Sequence, residues 1–371
     1  MRASELDRDE TNRVHVLSAD ALRRTVREIF SAAGCAGAEA DRIAENLVEA
    51  NLTGHDSHGV VRVPLYVDWM RSGFVLAGQT VEVVTDGGAF VVLDGRRGFG
   101  QTVATQAVDL GIDRAQRQGS AVVALRNAGH IGRVGAFAEA AVRAGLVSVH
   151  FVNVTESPLV APFGGVAKRF STAPFAAGLP LPGRPVILDF ATSLVAEGKV
   201  QVASYGGKPL PPDALISEDA EMSGDPRVLY GDYADTDLRR ASNGTGAIRA
   251  FGEHKGSGLA LVCELLAGAL TGGGCAGPVG PTRQGISNGM LSIYLSPRLL
   301  GTEAEFERIG LEYLDWVLSS RPIDPDVAVL APGEPEQRTR AARLADGIPL
   351  PVDTWAAIRR TATQVGAESS D

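Results

Sequence analysis

Apolar residues recur every three or four positions near the start of the chain, at Leu22, Val26, Ile29 and Phe30. That is the period of a helix with one buried face. Ser18 or Asp20 caps this predicted helix, which runs to about Ala33 before Gly34 and Gly37 break it. The same spacing predicts a second helix over Ala38 to Leu52, and a third that carries Tyr66 and Met70 and stops at Gly73. From Val81 the texture changes. β-Branched and aromatic runs at Val81–Val84 and Phe90–Leu93, with turns at Asp86-Gly87 and Asp94-Gly95, predict strands. Helices over 101–118 and 135–144 then alternate with strands at Ala121–Leu125 and Leu146–Val152.

Val186–Phe190 is a predicted strand leading into a helix near Leu194–Tyr205. Residues 206–250 are rich in Gly, Asp, Pro and Ser and predict a long excursion. Lys255–Ala269 is an apolar helix, 272–285 a Gly/Pro loop and Met290–Leu295 a strand. The tail predicts a helix near 302–319, a strand at Val327–Leu330, and helices near 334–344 and 353–365. The fold class is therefore α/β. An α/β domain over 81–289 is inserted in a mostly helical domain built from both chain ends, 1–80 and 290–371.

Composition narrows the function classes. The chain has 371 residues, 44% apolar and 21% charged, as in ordinary globular proteins. A net charge of -9 argues against a nucleic-acid partner. No run approaches the roughly 18 apolar residues of a membrane span. Met1 to Val14 carries both charge signs without an apolar core, so it reads as a frayed tail rather than a signal peptide. Three cysteines, Cys35, Cys263 and Cys275, lack metal-like spacing and fit free thiols in a cytoplasmic protein.

The densest chemistry lies in Gly54-His55-Asp56-Ser57-His58-Gly59-Val60-Val61-Arg62. Two imidazoles, a carboxylate, a hydroxyl and a guanidinium between two amphipathic helices suit a small acid that gains or loses a proton. On a continuous helix, His58, Arg62 and Tyr66 share one face. The bland alternatives are a buried core aromatic for Tyr66 and, for His55, a helix-end group bonded to backbone. His55, Asp56 and His58 with His130 or His254 also make a metal site conceivable, but no further ligand sits at a recognisable spacing, and no metal is expected.

Three more segments pass from strand or loop into a helix. Asn127-Ala128-Gly129-His130-Ile131-Gly132-Arg133 places glycines on either side of a histidine and an arginine at a helix start, which suits phosphate. In Leu188-Asp189-Phe190-Ala191-Thr192-Ser193, Asp189 can orient a histidine, bond a ribose or cap the helix. Phe251-Gly252-Glu253-His254-Lys255-Gly256-Ser257-Gly258 suits an anionic ligand, and Pro332-Gly333-Glu334 is a weaker version. Gly272-Gly273-Gly274-Cys275-Ala276-Gly277 satisfies G-x-G-x-x-G, but a helix precedes it and Pro278 and Pro281 follow, so it reads as a flexible connector. No hydrolase elbow and no P-loop is present.

Together, these segments resemble the second type of the malate/L-lactate dehydrogenase family. This non-Rossmann group includes hydroxycarboxylate, ureidoglycolate and sulfolactate dehydrogenases and Δ1-piperideine-2-carboxylate reductases. The likeness is carried by Gly54 to Gly59 with Arg62 and Tyr66, Asn127 to Arg133, Ala161-Pro162-Phe163-Gly164-Gly165 and Asp189 to Ser193. Gly198-Lys199, Gly252 to Gly258, Asn288 and Pro332 to Glu334 complete it, so the likeness runs from about residue 20 to 365. It implies a non-Rossmann nucleotide-binding domain, a homodimer, and hydride transfer between NAD(P)H and a 2-oxo acid or a cyclic 2-imino acid. NAD is the cofactor expected, with NADP the alternative, and the substrate is a small carboxylate. By the same resemblance His130 is the general acid/base, and Arg62 and Tyr66 contact the substrate carboxylate. His58 neighbours the nicotinamide, and Ser57 with His58 relays protons in imine-reducing members. Asp189 joins the catalytic group. Gly132, Arg133, Val134, Leu188, Asp189, Phe190, Ala191, Thr192, Gly252, His254, Lys255, Asn288, Pro332, Gly333 and Glu334 are the implied cofactor contacts. The chain departs from the family pattern at Ala173, where Asn is usual, at Met290, where His is usual, and at Leu215, where Trp is usual.

Overall fold

The computed structural model describes residues 14–206, 208–234, 239–277 and 285–367. In chain order, β1 (Val14–Leu17), α1 (Ala19–Ala32) and α2 (Gly37–Leu52) lead through two short 3-10 turns to α3 (Val63–Arg71). Next come β2 (Glu82–Asp86), β3 (Phe90–Asp94), α4 (Gly100–Gln118), β4 (Ser120–Gly129), α5 (Gly135–Arg143), β5 (Val147–Thr155), β6 (Phe175–Leu179) and β7 (Val186–Phe190). They are followed by α6 (Glu197–Ser204), β8 (Leu215–Ile216), β9 (Met222–Ser223), α7 (Arg227–Tyr230), β10 (Ala247–Ile248) and α8 (His254–Cys263). The last elements are β11 (Ser287–Leu295), α9 (Pro297–Leu300), α10 (Glu303–Leu318), α11 (Glu334–Asp346), β12 (Ile348–Pro351) and α12 (Val352–Val365).

Ser18 caps α1, its Oγ accepting from Ala21 N at 3.2 Å. The apolar stripe of α1 (Leu22, Val26, Ile29 and Phe30) packs with Ile43 and Leu47 of α2 and Val67 of α3. Ile348 and Leu350 of β12 and Ile358 of α12 enter the same core, and β1 pairs antiparallel with β12. Burying these stripes against one another is the main source of helix stability here, since short helices are marginal alone.

The larger sheet has seven strands in the order β2-β3-β4-β11-β5-β6-β7. β3 and β4 run parallel, and every other neighbouring pair is antiparallel. The fold is thus mixed α/β, and its sheet differs from the parallel sheet of a Rossmann domain. β11 lies in the middle, with Leu291 opposite both Ala124 and Phe151. A domain limit at residue 290 therefore cuts through a strand, and the sheet continues to Leu295. α4 and α5 cover one face, burying Val103, Ala107, Phe137 and Ala138 against Val123, Val152 and Tyr294. Gly111 lets α4 lie over the Tyr294 ring, since a Cβ there would fall 2.4 Å from it.

Several sequence expectations are corrected. The 206–250 excursion holds a three-stranded sheet, β10-β8-β9, with its own core of Leu215, Leu229, Tyr230 and Ile248 against Val160 and Val200. Val327–Leu330 forms no strand. The helix expected to run through Ala269 is α-helical only to Cys263 and π-helical over Glu264–Ala269. This wider turn coincides with a buried carboxylate. Glu264 accepts from Ser171 N, Ser171 Oγ, Asn153 Nδ2 and Ala276 N at 2.6–3.0 Å. Gly273 N and Gly274 N bond back to Gly268 O, so Gly272–Gly277 is a hydrogen-bonded turn. Met1–Arg13 and the two prolines Pro278 and Pro281 lie outside the described residues. Among the described residues no helix is long and apolar enough to cross a membrane.

Candidate active site

The Gly54–Arg62 segment is held open by Asn51, the penultimate residue of α2. Asn51 Nδ2 donates to Asp56 Oδ1 at 2.6 Å, and Asn51 Oδ1 accepts from Val60 N at 2.9 Å. Arg343 of α11 grips both oxygens of Asp56, at 2.6 and 3.0 Å. Asp56 is thereby committed to structure. Gly59 passes so close to Asn51 that a Cβ would sit 2.2 Å from Oδ1. The segment is two 3-10 turns, Asp56–His58 and Val60–Arg62, separated by an extended Gly59. The continuous helical face expected for His58, Arg62 and Tyr66 does not exist. Instead, the break folds Arg62 back, with its Nε donating to Ser57 O at 2.7 Å.

His130 follows directly on β4 and meets Tyr66, on α3, from the other core. His130 Nδ1 and Tyr66 Oη are 2.5 Å apart, and the His58 ring stacks on His130 at 5.5 Å. Ser57 Oγ lies 3.1 Å from His58 Nδ1. Gln101, in the first turn of α4, donates from Nε2 to both Tyr66 Oη (3.2 Å) and His130 O (3.1 Å). Burial, then the Arg62 charge, then His58 hold His130 well below the usual imidazole range. Burial and Arg62 lower His58 to about 3. Burial raises Tyr66 to about 12, while Arg62 and the Gln101 bond pull the other way. The group is therefore neutral at physiological pH apart from Arg62. It can donate and accept protons next to a fixed cation, which suits a carboxylate whose neighbouring atom changes charge.

A second group lies at the start of α5. Asp189, on β7, accepts from Gly135 N at 2.8 Å, and burial raises its pKa against the opposing pull of His55 and Arg133. No hydrogen bond joins Asp189 to His130 among the described residues. Arg133 is 3% exposed. Its Nη2 donates to Glu139 at 2.6 Å, whereas Nε and Nη1 are buried without a partner. Gly132 has φ +75 and takes its turn against Asn46. Val134 is buried and immediately precedes α5.

The remaining candidates are more scattered. Leu188 sits on β7 paired with Ala177, and Phe190 with Phe175. Ala191 links Phe190 to Thr192, whose N and Oγ1 both donate to Thr172 O. Phe251 N donates to Thr192 O at 3.0 Å, which brings the Gly252 segment to the end of β7. Gly252, His254 and Lys255 are exposed at the start of α8. His254 meets the edge of Phe163, and no hydrogen bond ties either side chain to the His130 group among the described residues. Asn288 is buried between strands, Oδ1 accepting from Ile131 N at 3.0 Å and Nδ2 donating to Asn153 O at 2.8 Å. The Pro332–Glu334 turn docks on β7 through the bond from Ile187 N to Pro332 O, and Glu334 Oε2 accepts from Ala331 N. A cavity of about 200 Å³ beside Gly333 is lined by Thr53, Glu139, Ile187, Glu336 and Arg340. His55 faces Glu336 at 3.4 Å, and among the described residues no cluster of three or more His, Cys, Asp or Glu is placed to hold a metal.

Gln101, Asn51 and Glu264 are absent from the sequence-level candidates. Gln101 had one legible signal, a polar residue after Gly98-Phe99-Gly100 on the buried side of a helix start.

Comparison with known proteins gives a consistent picture. The family model described as malate/L-lactate dehydrogenase matches residues 17–359. Hydroxycarboxylate dehydrogenase B of Escherichia coli (strain K12) is 39% identical over 358 residues, covering 95% of each chain. The Delta(1)-pyrroline-2-carboxylate/Delta(1)-piperideine-2-carboxylate reductase of Pseudomonas syringae pv. tomato is 36% identical over 275 residues, 74% of each. A solved structure from E. coli, described as a candidate malate/lactate dehydrogenase, superposes with a TM-score of 0.88 at 38% identity, covering 96% of each chain.

Proposed function

The chain belongs to the malate/L-lactate dehydrogenase family and is an oxidoreductase, and we propose that it transfers a hydride between a nicotinamide dinucleotide and a 2-oxo acid/2-hydroxy acid pair. The observation that carries this reading is the buried contact of His130 with Tyr66 beside the Arg62 guanidinium. Arg62 binds the substrate carboxylate and fixes which face of C2 is presented. His130 supplies the proton that C2 oxygen requires, a role worth about 10²–10⁴ in rate. A carboxylate seated on Arg62 cancels the positive potential acting on His130, so substrate binding itself brings the imidazole closer to its working range. Tyr66 borders the same site, its hydroxyl engaged by His130 and Gln101 rather than turned to the carboxylate as the family resemblance implied, and Ser57 and His58 lie on the nicotinamide side.

A dinucleotide fits the residues present. Arg133 has two buried nitrogens without partners at the N-terminus of a nine-residue helix, which is donor chemistry for a phosphate. A Cβ at Gly135 would fall 2.6 Å from Asp189 Oδ2 and 2.7 Å from Arg133 Nη1, so this approach requires glycine. When bound, the cofactor supplies or takes the hydride. Gly132, Arg133, Val134 and Asn288 are proposed to hold one part of it, Leu188 to Thr192 another, and Pro332 to Glu334 with the adjoining cavity the remainder. Asp189 is proposed as an orienting group on the cofactor side, and Gly252, His254 and Lys255 as a flap over it. NAD is the proposed cofactor, with NADP the alternative.

The proposed organisation is an inserted nucleotide-binding α/β domain, 81–289 extended to Leu295, within a helical domain from both ends. The core that joins α1 to α3 with β12 and α12 supports it. A homodimer is proposed as well. α10 buries no residue, and Ile309, Tyr313 and Trp316 are 53, 64 and 70% exposed, a face that a second copy would cover. A cytoplasmic location accords with three free cysteines. A cyclic 2-imino acid as substrate is the second reading, supported by the Ser57–His58 contact and the reductase relative.

The test is oxidation of NADH and of NADPH, followed by absorbance, with small, sulfonated and aromatic 2-oxo acids and with Δ1-piperideine-2-carboxylate. Turnover of 2-oxo acids establishes the first reading, and turnover of the imine alone the second. Silence across both classes removes both.

A further inference from the structure

We propose that Tyr66 is the terminal proton donor of the reaction, acting through His130, and that Gln101 is the positioning residue that sets the direction of this relay. The inference rests on the hydride-transfer reading and assigns the origin of its proton.

The direction follows from hydrogen-bond accounting. A backbone carbonyl only accepts, so the bond from Gln101 to His130 O fixes the NH2 side of the amide toward it. The same Nε2 donates to Tyr66 Oη. Tyr66 Oη therefore receives one hydrogen and must send its own elsewhere. The partner at hand is His130 Nδ1, 2.5 Å away. Tyr66 donates, Nδ1 accepts, and the neutral imidazole carries its hydrogen on Nε2. No protein hydrogen bond engages Nε2 among the described residues, so it is the nitrogen left to meet a ligand. A ketone oxygen is an acceptor, matched to this N–H donor. Burial keeps both rings neutral at rest, while Arg62 and Gln101 each favour the phenolate that a donating Tyr66 must become.

The step balances. As C2 takes the hydride, the carbonyl π electrons move onto oxygen and form a bond to the Nε2 hydrogen. The Nε2–H bond breaks, the Tyr66 O–H bond breaks, and that proton joins Nδ1. The imidazole ends neutral with its hydrogen on Nδ1. Tyr66 ends as a phenolate held by Gln101; when the product leaves, water protonates the bare Nε2 and the Nδ1 hydrogen returns to Tyr66. The reverse sequence serves oxidation, with Nε2 now free to accept.

The first test needs no turnover. In full-length protein labelled with 15N-histidine, the signals of its six histidines are recorded at neutral pH, and His130 is assigned by its loss in His130→Asn. Protonated Nε2 with bare Nδ1 is expected, and Gln101→Leu should give a mixture of tautomers. Nδ1–H in the wild type, or an unchanged tautomer in a folded Gln101→Leu, overturns the assignment. The second test is kinetic. Tyr66→Phe should lower kcat for reduction about 10²-fold with little change in KM. A proton inventory in mixed H2O and D2O should be curved for wild type and linear for Tyr66→Phe. A linear wild-type inventory, or full kcat in Tyr66→Phe, removes the relay while leaving hydride transfer standing. Absence of turnover in a protein whose His130 is Nε2–H removes hydride transfer, and the relay with it.

Discussion

The His58 and His130 rings lie 5.5 Å apart, centre to centre, with their planes within 17° of parallel. One ring comes from the 3-10 turn after α2 and the other from the end of β4, so the contact ties the N-terminal helices to the sheet. Two imidazoles this close cannot both carry charge cheaply, and Arg62 adds a third positive group to each. An anion is what the site lacks, and a substrate carboxylate would supply it.

Arg62→Ala should raise the substrate KM by about 10- to 100-fold, the scale of a lost charge-assisted hydrogen bond. It should also move the acid limb of kcat/KM upward in pH. A guanidinium disfavours the imidazolium, so removing it raises the pKa of His58 and His130. Steady-state kinetics from pH 5 to 9 reads both effects. An unchanged KM takes Arg62 out of the carboxylate site.

Arg133→Met should weaken nicotinamide dinucleotide binding about 10-fold or more, beyond any loss of melting temperature from breaking the Glu139 pair. The side chain has one charged partner, Glu139, and two unpartnered nitrogens, so those two nitrogens are reserved for a ligand rather than for the fold. Titration calorimetry of the cofactor at two salt concentrations checks this. Equal affinity in the variant would move the phosphate site elsewhere.

Most helices and strands were legible because their apolar periods match their burial. The stripe of α1 and the mostly buried apolar run Ala121–Leu125 of β4 are examples. β6, β1 and β12 were not expected: Ala176, Ala177 and Gly178 give β6 little strand propensity, Pro349 and Pro351 interrupt β12, and β1 is four residues beside a charged tail. The small core at Leu215, Leu229 and Tyr230 hid behind a Gly- and Pro-rich composition. His58, His130, Arg62 and Tyr66 stood out as candidates by chemistry. Their actual contact depends on the Gly59 break and on long-range packing between α3 and β4, which local spacing does not encode. Asp56 looked functional by its neighbours, yet its carboxylate is spoken for by Arg343, 287 residues away.

Acid should destabilise the protein through its buried histidines. His150, fully buried on β5 between Ser148 and Ser292, is lowered by burial to about 3. Its unfolded value is near 6.5. Between these values the unfolded chain binds a proton that the folded chain refuses, so stability falls as pH drops from about 6.5 toward 3 and this term is flat outside that window. From pH 7 to 5 this one residue accounts for about 2 kcal/mol. Urea unfolding of wild type and His150→Gln at both pH values measures it. The variant should show a smaller loss by about that amount, and an identical loss would mean that His150 is protonated in the fold.

Gly100 is where helix α4 touches the backbone of the candidate catalytic histidine. A Cβ there would lie 2.3 Å from His130 O and 2.5 Å from Gly129 O. Both are backbone atoms, so no side-chain rotation relieves the clash, and either α4 or the end of β4 must move. The same carbonyl anchors Gln101, so its displacement alters the bond that orients Tyr66. Gly100→Ala should cost about 1–3 kcal/mol as an overpacked site and lower kcat by more than the loss of folded protein explains. Gly37→Ala is the matched control. Its Cβ meets nothing within 4 Å on α2, and reduced freedom of the unfolded chain should stabilise it by about 0.4–1 kcal/mol with full activity. Melting curves and turnover of the two variants separate the effects. Wild-type kcat in a folded Gly100→Ala would show that the position of the His130 carbonyl does not govern the chemistry.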